Sequence, residues 1–340
     1  MSPLRTAARM ACASLTMACS PADDGPSELL PAPGSLLNAP TEPLPPTLSE
    51  VGLYPDPADR SRVPDRAIAY SPRWPLWSGG SDKERFVVLP PGTTIDNRER
   101  DAWQYPDGTL FFKTFAYDGL PVETRVLRKQ AMDDWELAAY QWNAEGTDAA
   151  LLDGDFEVVV PLGADRQHTI PSTLMCRECH ESSPHPVLGD AELQLSESPT
   201  ADGASALSLL DARGVLRVPP PAKPRMLSDH AEDAQTQAVL GWFVADCLHC
   251  HNGSDGPSSS FDLDPAVALA NTIGQSTESS ASAAGIRIVA GSPSQSILFL
   301  AISGEHDDPE IEPMPPVIVD AQDLRAIENL RTFIAGLPVQ

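Results

Sequence analysis

The pentapeptide Cys-X-X-Cys-His occurs twice in this chain of 340 residues and constrains it more than any other feature. The first copy is CRECH at residues 176–180, and the second is CLHCH at residues 247–251. Each copy supplies two thiols three residues apart and an imidazole directly after them. Such a group serves zinc binding, thiol redox chemistry or the covalent attachment of a prosthetic group. The choice among these chemistries determines what the rest of the chain must do.

Zinc and thiol chemistry explain the two copies poorly. Zinc ribbons join two CxxC units across about 15–20 residues, whereas 67 residues separate Cys179 from Cys247. A site of four thiolates would also leave both histidines without a role. Thioredoxin-like chemistry needs CxxC in a βαβ unit, and the sequence pattern contains no such unit. Structural disulfides explain neither histidine.

Covalent haem attachment accounts for every position of the motif. Two thiols at this spacing form thioethers with the two vinyl groups of one porphyrin, and the adjacent histidine then lies beneath the iron as its proximal ligand. The sequence therefore predicts two haem c groups, held by Cys176, Cys179 and His180 in the first copy and by Cys247, Cys250 and His251 in the second.

The N-terminus has the features of an export signal over residues 1–18. Arg5 and Arg9 form a short basic start, and the largely apolar stretch MACASLTMA follows. LTMAC at residues 15–19 resembles a bacterial lipoprotein cleavage box, which makes Cys19 the expected lipid anchor; a plain secretory signal cleaved nearby is the alternative. We expect an extracytoplasmic protein on the periplasmic side of the envelope, in contact with a membrane only through this anchor.

The formal net charge is −25 and is spread along the chain. Such a charge argues against nucleic acid or anionic lipid as a partner. It is compatible with a basic protein partner or with a simple solvated acidic surface. For a haem protein the expected partner is another redox protein, which the sequence does not identify.

Residues 19–50 are rich in proline, acidic and small residues, a composition typical of an extended tether. Residues 51–170 contain short runs rich in β-branched and aromatic residues, separated by turn signals such as Asp118-Gly119. These runs predict an antiparallel β-domain, either a sandwich or a partly closed barrel. The candidate strands are RFVVLPPGT, TLFFKTFAY, PVETRVLRKQ, WELAAYQWN and FEVVVPLG.

Five of the six tryptophans fall in this β-domain: Trp74, Trp77, Trp103, Trp135 and Trp142. Such a cluster forms the core and rim of the domain, or it stacks against a ligand such as a sugar or a quinone. An exposed cleft lined by these rings would favour the ligand, and burial of the rings would favour the core.

The rest of the chain divides into a first haem-attachment segment, residues 171–228, and a mainly α-helical domain, residues 229–340. The segment is rich in proline, and no pattern of a long helix precedes Cys176. In the domain, residues 229–247 predict a helix with Asp229 as N-cap, and residues 319–337 predict another with Asp320 as its cap. The predicted fold class is therefore α+β.

Residues 229–337 resemble a small class I cytochrome c. A helix runs into CLHCH, MPP follows at residues 314–316, and a C-terminal helix carries TFIAGL. In that family a methionine followed by proline often supplies the distal iron ligand, so the resemblance implies Met314 for the second haem. Met314 lies 63 residues after His251, enough chain to reach the opposite face of the porphyrin, and its prolines favour an extended loop.

More broadly, residues 51–337 look like a family of bacterial multidomain c-type cytochromes. The matching stretches are PLWSGGSDKERFVVLPPGT, FKTF, VETRVLRKQ, YQWNAEGTDA, IPSTLMCRECH and VLGDAELQLS. This resemblance covers most of the chain and implies electron transfer, but it names no substrate.

The first haem segment departs from the class I pattern, and we expect its haem to be sandwiched between the β-domain and the C-terminal domain. Met226, 46 residues after His180, is the leading candidate for the sixth ligand because that length of chain can wrap the porphyrin. His230 and His185 are alternatives. His185 lies only five residues after His180, so its loop would have to cross the haem edge almost fully extended.

These features predict an exported dihaem c-type cytochrome that transfers electrons and is more of a carrier than a catalyst. Two alternatives stay open. A dihaem peroxidase or oxidase requires one haem with an open distal side, although the two motifs start only 71 residues apart, too close for two full cytochrome domains. A β-type binding module for a dehydrogenase or a sugar, with the haems as its relay, requires the exposed tryptophan cleft.

Overall fold

The computed structural model describes residues 29–32, 34–131, 134–183, 186–198, 203–254, 261–277, 285–316 and 320–339. The predicted signal segment, Cys19 and His185 lie outside these residues. The described chain contains eight strands and eight α-helices, and nearly all of the strands precede nearly all of the helices. The α+β prediction is confirmed.

Six strands form one antiparallel sheet in which the spatial order follows the sequence. They are β1 (Ile68–Ala69), β2 (Asp82–Val88), β3 (Leu110–Tyr117), β4 (Leu120–Lys129), β5 (Trp135–Trp142) and β6 (Ala149–Leu151). A second sheet contains two antiparallel strands, β7 (Val158–Gly163) and β8 (Arg166–Ile170). The antiparallel organisation is confirmed, and the sandwich or partly closed barrel stays a prediction.

The turn between β3 and β4 has the predicted chemistry. Asp118 and Gly119 form a two-residue loop between Tyr117 and Leu120, with φ of 51° and 82°. Positive φ at both loop positions matches the right-handed twist of the flanking strands and favours Asn, Asp or Gly there. The local sequence therefore determines the register of the two longest central strands.

One face of the six-stranded sheet is covered by the chain that precedes it. Leu36, Leu37, Leu48 and Val51 are buried against this face, and helix α1 (Leu48–Val51) belongs to the same cluster. The prediction of an extended tether over residues 19–50 is therefore wrong for its second half. The leucines between the prolines provide enough apolar surface to fold onto the sheet.

The opposite face of the sheet carries the segments that follow β8. They contain helices α2 (Thr173–His180), α3 (Glu192–Leu195) and α4 (Ala206–Ala212). Leu195, Leu207 and Leu210 are buried against Phe111 and Leu127 of the sheet. The two-stranded sheet packs on the edge of the same face.

The C-terminal part is helical and has a core of its own. Its helices are α5 (Ala234–Asp246), α6 (Ala268–Thr272), α7 (Ile297–Ser303) and α8 (Leu324–Gly336). Leu240 and Phe243 of α5 meet Leu330 and Ile334 of α8, and all four side chains are buried. None of the helices in the described part of the chain has the length and apolar character that crossing a bilayer requires.

Both predicted helix caps are displaced by a few residues. Asp233 rather than Asp229 caps α5, with its Oδ1 accepting from the Thr236 N–H at 2.8 Å. Asp229 ends a 3₁₀ turn instead. Asp323 rather than Asp320 caps α8, because the Asp320 carboxylate accepts hydrogen bonds from Thr169 of β8.

The tryptophans of the β-domain belong to packed regions. Trp103, Trp135 and Trp142 are buried in the two clusters that cover the sheet. Trp74 packs against the core of the helical part, and the Trp77 indole N–H donates to the Ala321 carbonyl at 2.6 Å. These positions favour the core interpretation over a ligand-stacking surface.

Candidate functional site

The first CxxCH segment lies on a short helix that follows the second sheet directly. Helix α2 begins at Thr173, and the Ser172 hydroxyl caps it by accepting from the Met175 N–H. No residue of α2 is buried. Cys176 alone packs against the apolar cluster of the sheet, beside residues such as Leu127. The helix is therefore positioned by its cap and its ends rather than by an apolar face.

His180 ends α2 and has one ring nitrogen fixed. Its Nδ1 lies 2.6 Å from the Pro186 carbonyl oxygen, so Nδ1 carries the proton and donates. Burial lowers the pKa of His180 to about 4, partly offset by that hydrogen bond. The imidazole is therefore neutral at physiological pH, and the Nε2 lone pair is left to accept or to bind a metal. A backbone carbonyl in this position is a common orienting partner of a metal-binding histidine.

The second CxxCH segment follows the long helix α5 and lies against the helical core. The N–H of Cys247 donates to the Phe243 carbonyl at 3.0 Å, and that of His251 donates to the Cys247 carbonyl at 2.9 Å, so the motif continues the helical turn. The His251 ring faces Phe261, with centroids 4.5 Å apart. Burial lowers the pKa of His251, which favours the neutral imidazole that a metal requires.

The two CxxCH segments meet, although 67 residues separate them in sequence. The thiols of Cys179 and Cys250 form a hydrogen bond. This bond raises the pKa of Cys179 and lowers that of Cys250, which also receives a hydrogen bond from His249. Beside them the Asn252 amide donates to the Ser182 carbonyl at 2.9 Å. The fold thus places both sets of predicted attachment residues at one location.

The residues of the two motifs line a cleft. All four cysteines keep partial solvent access, and all four are free thiols. Burial nevertheless raises the pKa of Cys176 and of Cys247. Side chains that remain accessible while surrounding protein atoms exclude most water lie in a concavity. A cavity of about 280 Å³ adjoins Cys176, and one of about 90 Å³ adjoins His180.

The surroundings of α2 fit a large apolar ligand. Phe156, which lines the larger cavity with Cys176, is 76% exposed, and Leu174 of α2 is 72% exposed. Single exposed apolar side chains are common, but these two flank paired thiols and an oriented imidazole. The donor set and its apolar rim are those that a covalently attached porphyrin requires.

The same geometry is unsuited to a zinc cluster. A structural zinc site needs four ligands converging on one point. Among the residues that the structure describes, no group of three or more His, Cys, Asp or Glu side chains converges in this way. The contact between Cys179 and Cys250 joins the two motifs without collecting their other thiols.

The predicted methionine ligands lie in different settings. Met314 is partly buried against Ala301 and Ile311, and its N–H donates to the Ala301 carbonyl at 2.9 Å. It therefore has a packing role that its flanking prolines did not predict. Met226 precedes the 3₁₀ turn of Leu227–Asp229, and Leu227 packs in the helical core. No contact in the described chain joins Met226 to His180 or Met314 to His251.

A group of charged side chains on the sheet was not predicted from the sequence. Glu123 of β4 is fully buried, and its carboxylate accepts from Arg125 at 2.5 and 3.0 Å and contacts His168 Nε2 at 2.8 Å. The Tyr117 hydroxyl lies 3.2 Å from His168 Nδ1. Burial raises the pKa of Glu123, but Arg125 and His168 outweigh it and keep that pKa below its usual value.

The sequence did contain a signal for this group. Lys113, Glu123 and Arg125 stand at alternate positions within otherwise apolar strands, on the face that also carries Phe111 and Leu127. Charged residues on an inward-facing register are costly to bury and therefore indicate a specific use.

Comparisons of the chain with protein-family models, with curated proteins and with solved structures found no match.

Proposed function

We propose that the chain is a dihaem c-type cytochrome, in which Cys176 and Cys179 hold one haem and Cys247 and Cys250 hold the other. The observation that carries this proposal is the meeting of the two CxxCH segments, with Cys179 hydrogen-bonded to Cys250. Two unrelated zinc or redox motifs have no reason to share a cleft. Two electron-carrying groups do, because electron transfer needs short separations.

Covalently bound haem supplies an iron that cycles between the ferrous and ferric states. The residues of the chain determine its position and electronic surroundings. The Pro186 carbonyl fixes the proton of His180 on Nδ1 and directs Nε2 into the cleft. Attachment through the neighbouring residues Cys179 and Cys250 would hold the two groups within one cleft, so electrons could pass between them inside a single chain.

We further propose that residues 229–340 form a class I-like cytochrome domain with His251 and Met314 as its axial ligands. A helix ending at CLHCH, a C-terminal helix packed on it and a Met-Pro loop support this assignment. Met314 lies on the loop after α7 and would have to exchange its packing against Ile311 for the iron. The family resemblance and the N-terminal export signal lead us to propose a periplasmic location, with Cys19 as lipid anchor.

Met314→His tests the distal ligand. Thioether ligation stabilises ferrous iron relative to bis-histidine ligation. We therefore expect the potential of the second haem to fall and the weak near-infrared band of sulfur-to-ferric-iron ligation to vanish. If both properties are unchanged in protein that carries both haems, Met314 is not the ligand.

The proposed function itself is tested by counting haems. Protein matured together with the c-type haem attachment machinery should give two haems per chain in a pyridine haemochrome assay. A ratio near zero together with bound zinc would overturn the proposal. The same protein can be assayed with peroxide, since rapid turnover would favour a dihaem peroxidase over an electron carrier.

The binding-module alternative has lost its support. It required an exposed cleft lined by tryptophans, but Trp103 and Trp142 are buried and Trp77 is bonded to Ala321. The β-domain instead provides the surface on which α2 rests. Its proposed role is to hold the first attachment segment against the second.

A further inference from the structure

Three cations stand side by side across the centre of the six-stranded sheet. Arg85 of β2 is paired in register with Lys113 of β3, and Lys113 is paired in register with Arg125 of β4. Side chains directly opposite each other on neighbouring strands lie about 4.5–5.5 Å apart at Cβ. The three residues therefore form one row, which we call the cation row.

The cation row is destabilising unless something else neutralises it. Like charges opposite each other repel, and Arg85 is only 7% exposed. Arg125 has a partner in Glu123. In the described ranges no carboxylate forms an ion pair with Arg85 or with Lys113. Lys113 lies over the Phe115 ring, with Nζ 4.9 Å from the ring centroid. Two positive charges on the sheet are thus left uncompensated.

The row lies beside the first CxxCH segment. Phe111 and Leu127 are two positions from Lys113 and Arg125, so they share a face of the sheet with them, and Cys176 packs on the cluster that contains both. The charges of Lys113 and Arg125 act on the His180 imidazole, and that of Arg125 also acts on Cys179. The side chain of Lys113 keeps partial solvent access although burial lowers its pKa well below the usual value, which places it at the floor of the cleft.

We propose that Arg85 and Lys113 bind the two propionate carboxylates of the haem attached at Cys176 and Cys179. This inference rests on the proposed haem attachment. A porphyrin held on α2 brings two carboxylates to a place where the chain offers two uncompensated cations. Charge-assisted hydrogen bonds of this kind are among the strongest in proteins, and an arginine fork matches a carboxylate in both geometry and charge.

Arg125 has a different role in this arrangement. The Glu123 carboxylate holds its guanidinium by two hydrogen bonds, and His168 in turn contacts Glu123. Arg125 is therefore fixed in position and already neutralised. It separates the propionate-binding cations from the buried polar group at the edge of the sheet.

A free small carboxylate is the other source of the same chemistry. The floor of a cleft under α2 excludes the acidic surface of a large partner but would admit a dicarboxylate. If the propionates occupy the cations, added succinate has nothing to bind and leaves both haem potentials unchanged. A saturable shift of the first potential with succinate would overturn the proposal in favour of a free-ligand site.

The main test is Lys113→Met in protein that carries both haems, at fixed pH. Loss of a cation beside a propionate stabilises ferric iron, so one of the two potentials should fall. We expect a change of about tenfold in the ferrous-to-ferric ratio at a given potential, which is about 59 mV for a one-electron couple. Lys113→Arg should restore the potential, and Arg98→Met, which removes an exposed cation paired with Asp96, should leave both unchanged.

Haem counting separates the failure of this inference from the failure of the proposed function. Protein without covalent haem would overturn the proposed function. Protein with two haems whose potentials are unchanged in both Lys113→Met and Arg85→Gln would overturn the propionate assignment alone. Arg85→Gln keeps a polar side chain of similar size, so it provides the measurement even if Lys113→Met does not fold.

Discussion

The same five-residue motif occurs here in two different structural settings. The first copy ends an eight-residue helix that has no buried side chain and rests on a charged part of a sheet. The second copy follows a helix of 13 residues, five of them buried in a helical core. One motif is held by caps, hydrogen bonds and nearby charges, and the other by packing.

This contrast shows that the motif alone does not determine the properties of the group it binds. At the first copy the means of tuning are the cation row and the carbonyl of Pro186. At the second copy they are burial, the Phe261 ring and the proposed Met314 ligand. Because potentials depend on ligands, charge and solvent exposure, we expect the two haems to have different potentials.

The largest expected effect comes from removing one attachment pair at a time. The double variant Cys176→Ala, Cys179→Ala should lower the haem content from two to one per chain, and Cys247→Ala, Cys250→Ala should do the same. The second variant should also lose more stability, because Cys247 packs in the helical core and Cys176 lies on an unburied helix. Pyridine haemochrome assays and thermal melts measure both effects. Equal haem content in all three proteins would remove the basis for the comparison.

Side-chain truncation should separate the two helices sharply. Phe243 of α5 is fully buried, so Phe243→Ala should lower the free energy of unfolding by about 3–5 kcal/mol. Arg177→Ala in α2 removes only an exposed pair with Glu181 and should cost about 0.5 kcal/mol or less. Urea denaturation measures both. Similar losses in the two variants would show that α2 depends on packing after all.

The charged group beside the first copy predicts an acid-sensitive stability. Glu123→Gln breaks a buried ion pair and should cost about 3 kcal/mol at neutral pH. Since the folded-state pKa of Glu123 lies below its ordinary value of 4.5, the ionised group stabilises the fold above about pH 4.5. That contribution disappears as the pH falls through the folded-state pKa.

Urea denaturation of wild type and Glu123→Gln between pH 3 and pH 7 provides the measurement. The difference in unfolding free energy should be full at pH 7 and should shrink below about pH 4.5. A difference that stays constant, or grows, as the pH falls would mean that Glu123 is protonated in the folded protein.

The smallest expected effect concerns the contact between the two parts of the molecule. A Cβ on Gly241 of α5 would lie 2.3 Å from the Trp74 indole nitrogen. Gly241→Ala should therefore cost about 1–3 kcal/mol, as overpacking does. Gly336→Ala at the end of α8 is the matched control, because its Cβ meets nothing within 4 Å. If thermal melts show equal changes, Trp74 moves aside without cost.

The sequence predicted the regular elements well where one pattern was sufficient. The five apolar runs correspond to β2, β3, β4, β5 and β7, and both long C-terminal helices exist. The short strands β1, β6 and β8 were missed because two to five residues show too little periodicity. The caps were misassigned because Asp320 has a tertiary partner, Thr169, that no local pattern reveals.

The candidate site was predictable in its residues but not in its assembly. The two motifs identify their thiols and imidazoles directly. Their meeting depends on how the sheet and the helical core pack, so no spacing rule gives it. The Pro186 carbonyl carries no side-chain signature, and the cation row becomes visible only when the register places Arg85, Lys113 and Arg125 in line.

The link between Asp320 and β8 sets an order of events during synthesis. The Asp320 carboxylate accepts from the Thr169 N–H at 2.6 Å and from its hydroxyl at 2.7 Å, across 151 residues of chain. The helical part cannot be fastened to the sheet in this way until almost the whole chain has emerged. Both cysteine pairs emerge earlier. We therefore expect the CxxCH segments to be open to a modifying enzyme throughout that interval and to be enclosed only when the last helix arrives.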